Sequence, residues 1–257
     1  MPPRGVAITS RQFVVAADSS APHVPVADSG RSPQAPLEAV LFDMDGTLTD
    51  SERLWTIALE QVAEFYGGTL TATAREAMVG QDMWATIRLL HEVLGVDADP
   101  KSTAQMLTDR TRAIFREGMP FKDGAPELLR KVRAAGLRTA LVTATYRDLV
   151  DVALDTLGHD TFDVTIAGDE VEHNKPDPAP YQRALDLLGL PPEACLVIED
   201  SATGSRSAVA AGIGVLVVPS EMPVPPAPGL LFAETLVGVD VSTLRAAHSQ
   251  LRGAAQV

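Results

Sequence analysis

The sequence predicts an α/β protein with a doubly wound parallel sheet of the Rossmann type and a small inserted helical domain. Three observations support this prediction. Short apolar runs end in polar residues, as expected for buried parallel strands. From residue 124 onward such runs alternate with helical patterns, which is typical of right-handed βαβ units. Before this alternation, residues 51–119 show only helical periodicity.

The first 36 residues show no sustained helical or strand period. They are rich in proline, alanine and serine, and we expect residues 1–36 to form a flexible leader. A short apolar patch over residues 13–17 is the one part that could dock on the folded domain. The core domain is predicted over residues 37–50 and 120–257.

Helical spacing of apolar residues begins directly after the first strand. Helices are predicted over residues 53–66, 73–79, 83–94 and 100–115, with glycines at several of the breaks. We assign residues 51–119 to a helical cap domain; the alternative is that these helices pack directly on the sheet. A separate cap could close over a ligand and exclude water.

The remainder of the chain repeats a helix and strand rhythm. Strands are predicted over residues 137–142, 164–167, 195–198 and 215–218, and helices over 124–135, 146–157, 178–188 and 203–211. After a proline-rich loop at 219–229, a peripheral strand and a terminal helix are expected. The order of elements predicts one parallel sheet with helices on both faces.

Composition excludes several classes of function. A net charge of −13 argues against nucleic acid or an anionic membrane as the main partner. The single cysteine, Cys195, permits no intramolecular disulfide and fits a cytoplasmic protein. We find no apolar stretch long enough to span a bilayer, and we expect no secretory signal at the N-terminus.

The strongest chemical motif is the stretch from Val40 to Asp50, which reads VLFDMDGTLTD. Its first half is a buried strand, and its second half has the composition of a turn and a helix cap. The motif therefore places Asp43 and Asp45 at the carboxyl end of a strand, where open α/β sheets bind ligands. Two such close acids need a cation, a proton or a polar network to offset their charge.

Further polar residues follow the other predicted strands. Thr143 precedes a helix whose N-terminus would suit an anion, although a threonine there is commonly only a cap. Lys175 lies in a loop stiffened by prolines, which would aim its side chain. Glu199 and Asp200 end a buried strand, where solvated surface is a poor explanation. With the two motif acids they form a carboxylate cluster that suits Mg²⁺.

These motifs resemble those of the haloacid dehalogenase-like hydrolase superfamily, and the likeness extends over about residues 38 to 218. The helical insert is similar to the cap of its phosphatase and β-phosphoglucomutase branch. The resemblance implies that Asp43 attacks phosphorus and that Asp45 acts as general acid and base. It implies further that Thr143 and the amide of Ala144 hold phosphoryl oxygens, and that Lys175 offsets negative charge.

The resemblance also implies a Mg²⁺ cofactor. Its ligands would be the Asp43 carboxylate, the backbone carbonyl of Asp45 and Asp200, with Glu199 binding through water or orienting a ligand. In the cap, Gly80 and Gln81 are the candidates for substrate contact, and loop glycines and glutamines are otherwise common in turns.

The predicted function is Mg²⁺-dependent hydrolysis of a small phosphorylated metabolite by a monomer or small homo-oligomer. A β-phosphoglucomutase-like activity is the alternative, although Met83 and Trp55 stand where the mutase has an arginine and a histidine. A catalytically silent binding protein is a further alternative. The sequence also departs from the common family pattern at Ala144, after the motif threonine, and at Asn174, before the motif lysine.

Overall fold

The computed structural model of the chain describes residues 14–15, 35–78, 81–220 and 222–254, with only the backbone described at 14–15. In this part of the chain, the strands β1 to β7 are Val14–Val15, Ala39–Phe42, Arg138–Val142, Val164–Ile166, Cys195–Glu199, Gly214–Val217 and Leu230–Phe232. They form one seven-stranded sheet in the order β1-β7-β6-β5-β2-β3-β4. Strands β2 to β7 run parallel to one another, and β1 pairs antiparallel with β7.

Helices cover both faces of the sheet, as the sequence predicts. Along β2, Val40 and Phe42 point into one hydrophobic cluster, whereas Ala39 and Leu41 point into the other. This alternation follows from the two-residue period of a strand, and burial on both faces explains the continuous apolar run. The helices that follow the cap are α5 to α9: Ala125–Ala134, Arg147–Leu157, Ala179–Leu188, Ala202–Ala210 and Val241–Ala254.

Between β2 and β3, the described residues form four helices before α5. They are α1 to α4: Glu52–Phe65, Ala72–Met78, Met83–Leu94 and Pro100–Arg116. Most of their buried apolar residues form a hydrophobic cluster separate from the two at the sheet. The insert thus has apolar packing of its own, while Phe115 of α4 belongs to a cluster at the sheet. The division into a cap domain over residues 51–119 stays a prediction.

Local sequence explains where these cap helices begin. The Asp82 side chain accepts a hydrogen bond from the Ala85 N–H at the start of α3. Asp99 accepts one from the Ser102 N–H, and Pro100 follows as the first residue of α4. Both helices begin at the predicted residues, because the N-cap aspartates and the proline are local sequence signals.

Two linkers join the insert to the core. The Asp50 N–H donates to the Pro120 carbonyl at 2.8 Å, and the Lys122 N–H donates to the Leu48 carbonyl at 3.0 Å. The linkers therefore run side by side at the carboxyl edge of the sheet. This arrangement places the first residues of α1 directly beside the motif that carries Asp43 and Asp45.

One strand departs from the predicted topology. Val14–Val15 adds an antiparallel edge strand to the predicted parallel sheet. It lies within the expected docking patch at 13–17; residues 1–13 and 16–34 of the predicted leader lie outside the described residues. Among the described residues, no helix is long and apolar enough to cross a membrane.

Candidate active site

The carboxyl ends of three neighbouring strands bring the motif residues together. Phe42, the last residue of β2, pairs with Leu141 of β3 on one side and with Ile198 of β5 on the other. The residues just beyond these pairs, including Asp43 and Glu199, consequently meet at one edge. This is the crevice in which open parallel sheets bind ligands.

Lys175 is the central cation of this edge. Its Nζ donates to Asp43 Oδ1 at 2.7 Å, to Glu199 Oε1 at 2.7 Å and to the Val142 carbonyl at 2.8 Å. An ammonium group has three N–H donors, and all three are used here. The side chain is only 3% exposed, so this lysine is a fixed part of the site and not a solvated loop residue.

Electrostatics favour the charged form of this lysine. Burial opposes its charge, but the carboxylates of Asp43 and Glu199 raise the pKa of Lys175 well above its ordinary value. An aromatic ring assists, because Nζ lies 5.1 Å from the centroid of Tyr181. The site therefore contains a permanent positive charge next to Asp43.

Glu199 is fully buried, and both of its oxygens accept hydrogen bonds. Oε1 accepts from Lys175 and from the Tyr181 hydroxyl, at 2.7 and 3.1 Å. Oε2 accepts from the backbone N–H groups of Asp200 and Ser201 and from the Ser201 hydroxyl. These bonds favour an orienting role for Glu199 over direct ligation of a metal ion.

Helix α8 packs against Glu199 through a glycine. A Cβ atom at Gly204 would lie 1.6 Å from Glu199 Oε1, a distance that no side chain could tolerate. The Gly204 N–H also donates to Ser201 Oγ at 3.0 Å, which caps the helix. The glycine is therefore required for the approach of the helix to the carboxylate.

Asp43 and Asp200 are buried beside other carboxylates, and too little positive charge lies near them to offset their negative charge. Burial raises the pKa of Asp43 to about 7, in spite of the attraction of Lys175. Burial, together with the carboxylates of Asp43 and Glu199, raises the pKa of Asp200 to about 9. A cation bound between these groups would remove the mutual repulsion.

The turn after Asp45 depends on a second glycine. Gly46 has φ +79°, and a Cβ atom there would lie 2.1 Å from Asp200 Oδ2. Only glycine combines this backbone conformation with so close an approach. The glycine therefore lets the turn pack directly against the Asp200 carboxyl group.

Asp45 has its own set of partners. Its Oδ1 accepts from the Ser51 hydroxyl at 2.5 Å and from Trp55 Nε1 at 3.2 Å. Its Oδ2 accepts from the hydroxyls of Thr145 and Thr143, at 2.7 and 3.3 Å. The two motif carboxylates are thus held differently: Asp43 by a cation, and Asp45 by neutral donors.

Thr143 and Ala144, the predicted phosphoryl-binding residues, follow β3. Thr143 is buried and its hydroxyl also accepts from the Thr145 N–H at 3.1 Å, whereas Ala144 is exposed. The Ala144 carbonyl accepts from Asn174 Nδ2 at 3.0 Å, and Asn174 Oδ1 accepts from the Lys175 N–H. The unusual asparagine thus joins the two motif loops.

The predicted cap residues are less informative. Gly80 lies outside the described residues. Gln81 is exposed, and its N–H donates to the Met78 carbonyl at the end of α2. Contact of either residue with a substrate stays a prediction.

Several residues of the site were not predicted from the sequence. Ser51, Trp55 and Thr145 surround Asp45, and Tyr181 contacts both Lys175 and Glu199. The second threonine of Thr143-Ala144-Thr145 was a local signal that could have been used. Tyr181 carries no local signal of this kind, because its spacing in α7 is that of an ordinary core residue.

The carboxylates suit a small divalent cation. One oxygen from each of Asp43, Glu199 and Asp200 lies within 4.8 Å of the others, and all three residues are buried. Hard oxygen donors with excess negative charge favour Mg²⁺ over softer metals. The raised pKa values of Asp43 and Asp200 agree with a site that lacks a positive charge.

Comparisons with known proteins agree with this architecture. A family model described as haloacid dehalogenase-like hydrolase matches residues 37–212. Protein CbbY of Rhodobacter capsulatus is 37% identical over 199 residues, covering 72% of this chain and 86% of that protein. The phosphorylated carbohydrates phosphatase of Thermotoga maritima is 33% identical over 178 residues, covering 69% of this chain and 82% of that protein.

A solved structure shows the same fold. The crystal structure of CbbY from Rhodobacter sphaeroides in complex with phosphate has a TM-score of 0.71 and 26% identity, and it covers 81% of this chain and 99% of that chain. The fold and the site thus define a hydrolase with a doubly wound parallel sheet and a helical insert after its first parallel strand. The chain belongs to the haloacid dehalogenase-like hydrolase family, and it is a phosphoric monoester hydrolase.

Proposed function

We propose that this enzyme hydrolyses a small phosphorylated metabolite through a phosphoryl group carried transiently on Asp43, with Mg²⁺ as cofactor. The observation that carries the proposal is the division of roles between two neighbouring acids. Asp43 is held by the ammonium of Lys175, whereas Asp45 is held by hydroxyl and indole donors. Phosphoryl transfer through an enzyme carboxylate needs these two different groups.

In the proposed first step, an Asp43 oxygen attacks phosphorus and the bond to the leaving oxygen breaks. Lys175 fixes Asp43 Oδ1 at 2.7 Å and places a positive charge beside the transferring group. The second carboxylate, Asp45, donates a proton to the leaving oxygen. Thr143 and the Ala144 amide lie after β3, where they suit phosphoryl oxygens.

In the second step, Asp45 accepts a proton from water as the water attacks the phosphoryl group on Asp43. This attack breaks the bond between phosphorus and the Asp43 oxygen, and it releases phosphate and the free carboxylate. One residue thus serves as acid and then as base. After the second step, Asp43 is again a free carboxylate and Asp45 again carries its proton, so the enzyme is regenerated.

The cofactor would be held by the Asp43 and Asp200 carboxylates and the Asp45 carbonyl, with Glu199 orienting Lys175. When bound, Mg²⁺ supplies charge neutralisation for the phosphoryl oxygens. A phosphorylated sugar is the substrate class we propose. The Thermotoga maritima relative is named as a phosphatase of phosphorylated carbohydrates, which supports that class.

Phosphate release from a panel of phosphorylated sugars, with Mg²⁺ and with EDTA, tests the proposal. Asp43→Asn keeps the shape of the side chain and removes its nucleophilic charge, so it should abolish release. Asp186→Asn, an exposed aspartate on α7, is the matched control and should leave release unchanged.

The panel includes β-glucose 1-phosphate with a bisphosphate primer. Isomerisation to glucose 6-phosphate with little free phosphate would replace the hydrolase proposal by a mutase. Release that is unaffected by EDTA or by Asp43→Asn would refute the cofactor or the nucleophile, respectively. A chain that turns over nothing, although folded, would be a binding protein.

A further inference from the structure

A tryptophan of the first cap helix contacts the proposed acid and base. Trp55 lies one turn into α1, and its Nε1 donates to Asp45 Oδ1 at 3.2 Å. The same oxygen accepts from Ser51, the residue that immediately precedes α1. Asp45 Oδ2 instead accepts from Thr143 and Thr145 of the core. The carboxylate therefore bridges the core and the start of the cap.

The indole differs from the other three donors in its rigidity. A hydroxyl can rotate to follow its acceptor, whereas an indole N–H points where its ring points. The ring of Trp55 packs edge-on against Phe115 of α4, with centroids 6.0 Å apart and an interplanar angle of 83°. The direction of the N–H is therefore fixed by the packing of two cap helices.

We propose that Trp55 is a positioning residue that sets the orientation of the Asp45 carboxylate and couples it to the position of α1. This inference rests on the proposed role of Asp45 in the function given above. Trp55 does not react. It holds one oxygen of Asp45 toward the cap while the threonines hold the other toward the core, so a movement of α1 would turn the carboxylate.

Steady-state kinetics of Trp55→Phe test the functional part. Phenylalanine retains an aromatic ring against Phe115, and it removes the N–H donor together with part of the ring volume. Loss of this hydrogen bond would leave the Asp45 carboxyl group less firmly oriented and should lower kcat about tenfold. KM should change much less, because the bond is made to the enzyme and not to substrate. An equal effect on KM would contradict the proposal.

Tyr66→Phe is the matched control. This substitution also removes one polar group from an aromatic side chain of the cap, since the Tyr66 hydroxyl lies 2.6 Å from Thr103 Oγ1. Tyr66 stands at the end of α1, away from Asp45. Positioning predicts that only Trp55→Phe lowers kcat. A similar loss in both variants would show that general weakening of the cap is the cause.

Nuclear magnetic resonance of the indole N–H groups tests the contact without any activity. The chain has two tryptophans, so two indole signals are expected, and Trp84→Phe identifies which belongs to Trp55. Asp45→Ala removes the acceptor and should shift the Trp55 signal and speed its exchange with solvent. An unmoved signal would overturn the proposal.

The experiments separate this inference from the proposed function. If Asp45→Ala abolishes phosphate release but leaves the Trp55 signal unmoved, the hydrolase mechanism stands and the positioning role fails. If the signal shifts while phosphate release survives Asp45→Ala, the contact exists but Asp45 is not the acid and base. Because the resonance is measured with Trp55 in place, it remains informative even if Trp55→Phe folds poorly.

Discussion

Replacement of Asp200 by asparagine should stabilise the metal-free protein at neutral pH. The pKa of this buried carboxyl rises from 3.8 to about 9 on folding, so the folded protein must bind a proton that the unfolded chain has lost. Each pH unit above the unfolded value costs about 1.4 kcal/mol, which gives on the order of 4 kcal/mol at about pH 7. Asparagine avoids that cost and has nearly the same shape.

The sign of the pH dependence follows from the same shift. Between pH 3.8 and about pH 9, the folded state keeps the Asp200 proton while the unfolded chain has lost it. The free energy of unfolding therefore falls as the pH increases through this range. Wild type and Asp200→Asn should therefore unfold at similar temperatures near pH 4 and diverge on the way to neutrality. For a domain of this size, the divergence should be about 10 °C by pH 7.

Thermal unfolding in EDTA and in excess Mg²⁺ provides the assay. Mg²⁺ should raise the unfolding temperature of wild type and have little effect on the variant, because Asp200 is a proposed ligand. Asp186→Asn, on the exposed side of α7, controls for loss of a surface charge. The reasoning fails if Asp200→Asn is less stable than wild type in EDTA at neutral pH, or if the difference does not grow with pH.

Two further substitutions test the contacts that hold Asp43 and Glu199 in place. Lys175→Met leaves the carboxylates of Asp43 and Glu199 buried without a cation, so denaturant unfolding should show a loss of about 3 to 5 kcal/mol at neutral pH, together with loss of phosphate release. An equally stable, active variant would refute the role of the lysine. Gly204→Ala forces a methyl group against Glu199 and should lower both stability and kcat, whereas Gly253→Ala, which meets no neighbour within 4 Å, should not. Equal behaviour of the two alanine variants would contradict the packing argument.

The parallel sheet and its helices could be predicted because their signals are local. Apolar runs, caps and glycines mark most elements to within a residue or two, as at α3 and α4. The position of the site followed from one topological rule, since the carboxyl ends of parallel strands share an edge. Asp43, Glu199 and Asp200 meet there for that reason, and the loop between β4 and α7 brings Lys175 to them.

Contacts that depend on tertiary structure left no comparable signal. Tyr181 is five residues beyond Pro176 and is spaced like a core residue, yet its hydroxyl donates to Glu199. Trp55 has helical spacing in α1, and nothing local indicates that its N–H reaches Asp45. The edge strand at Val14–Val15 was missed because two residues are too short for a strand period.

The most direct test of the central claim is to trap the phosphoryl enzyme. A single turnover with a phosphorylated sugar and Mg²⁺ is quenched in acid, and the peptide that contains Asp43 is examined by mass spectrometry. The account predicts one added phosphoryl group on Asp43 at early times, which disappears as free phosphate accumulates. Phosphate release without any modification of Asp43, or with modification of another residue, would contradict it.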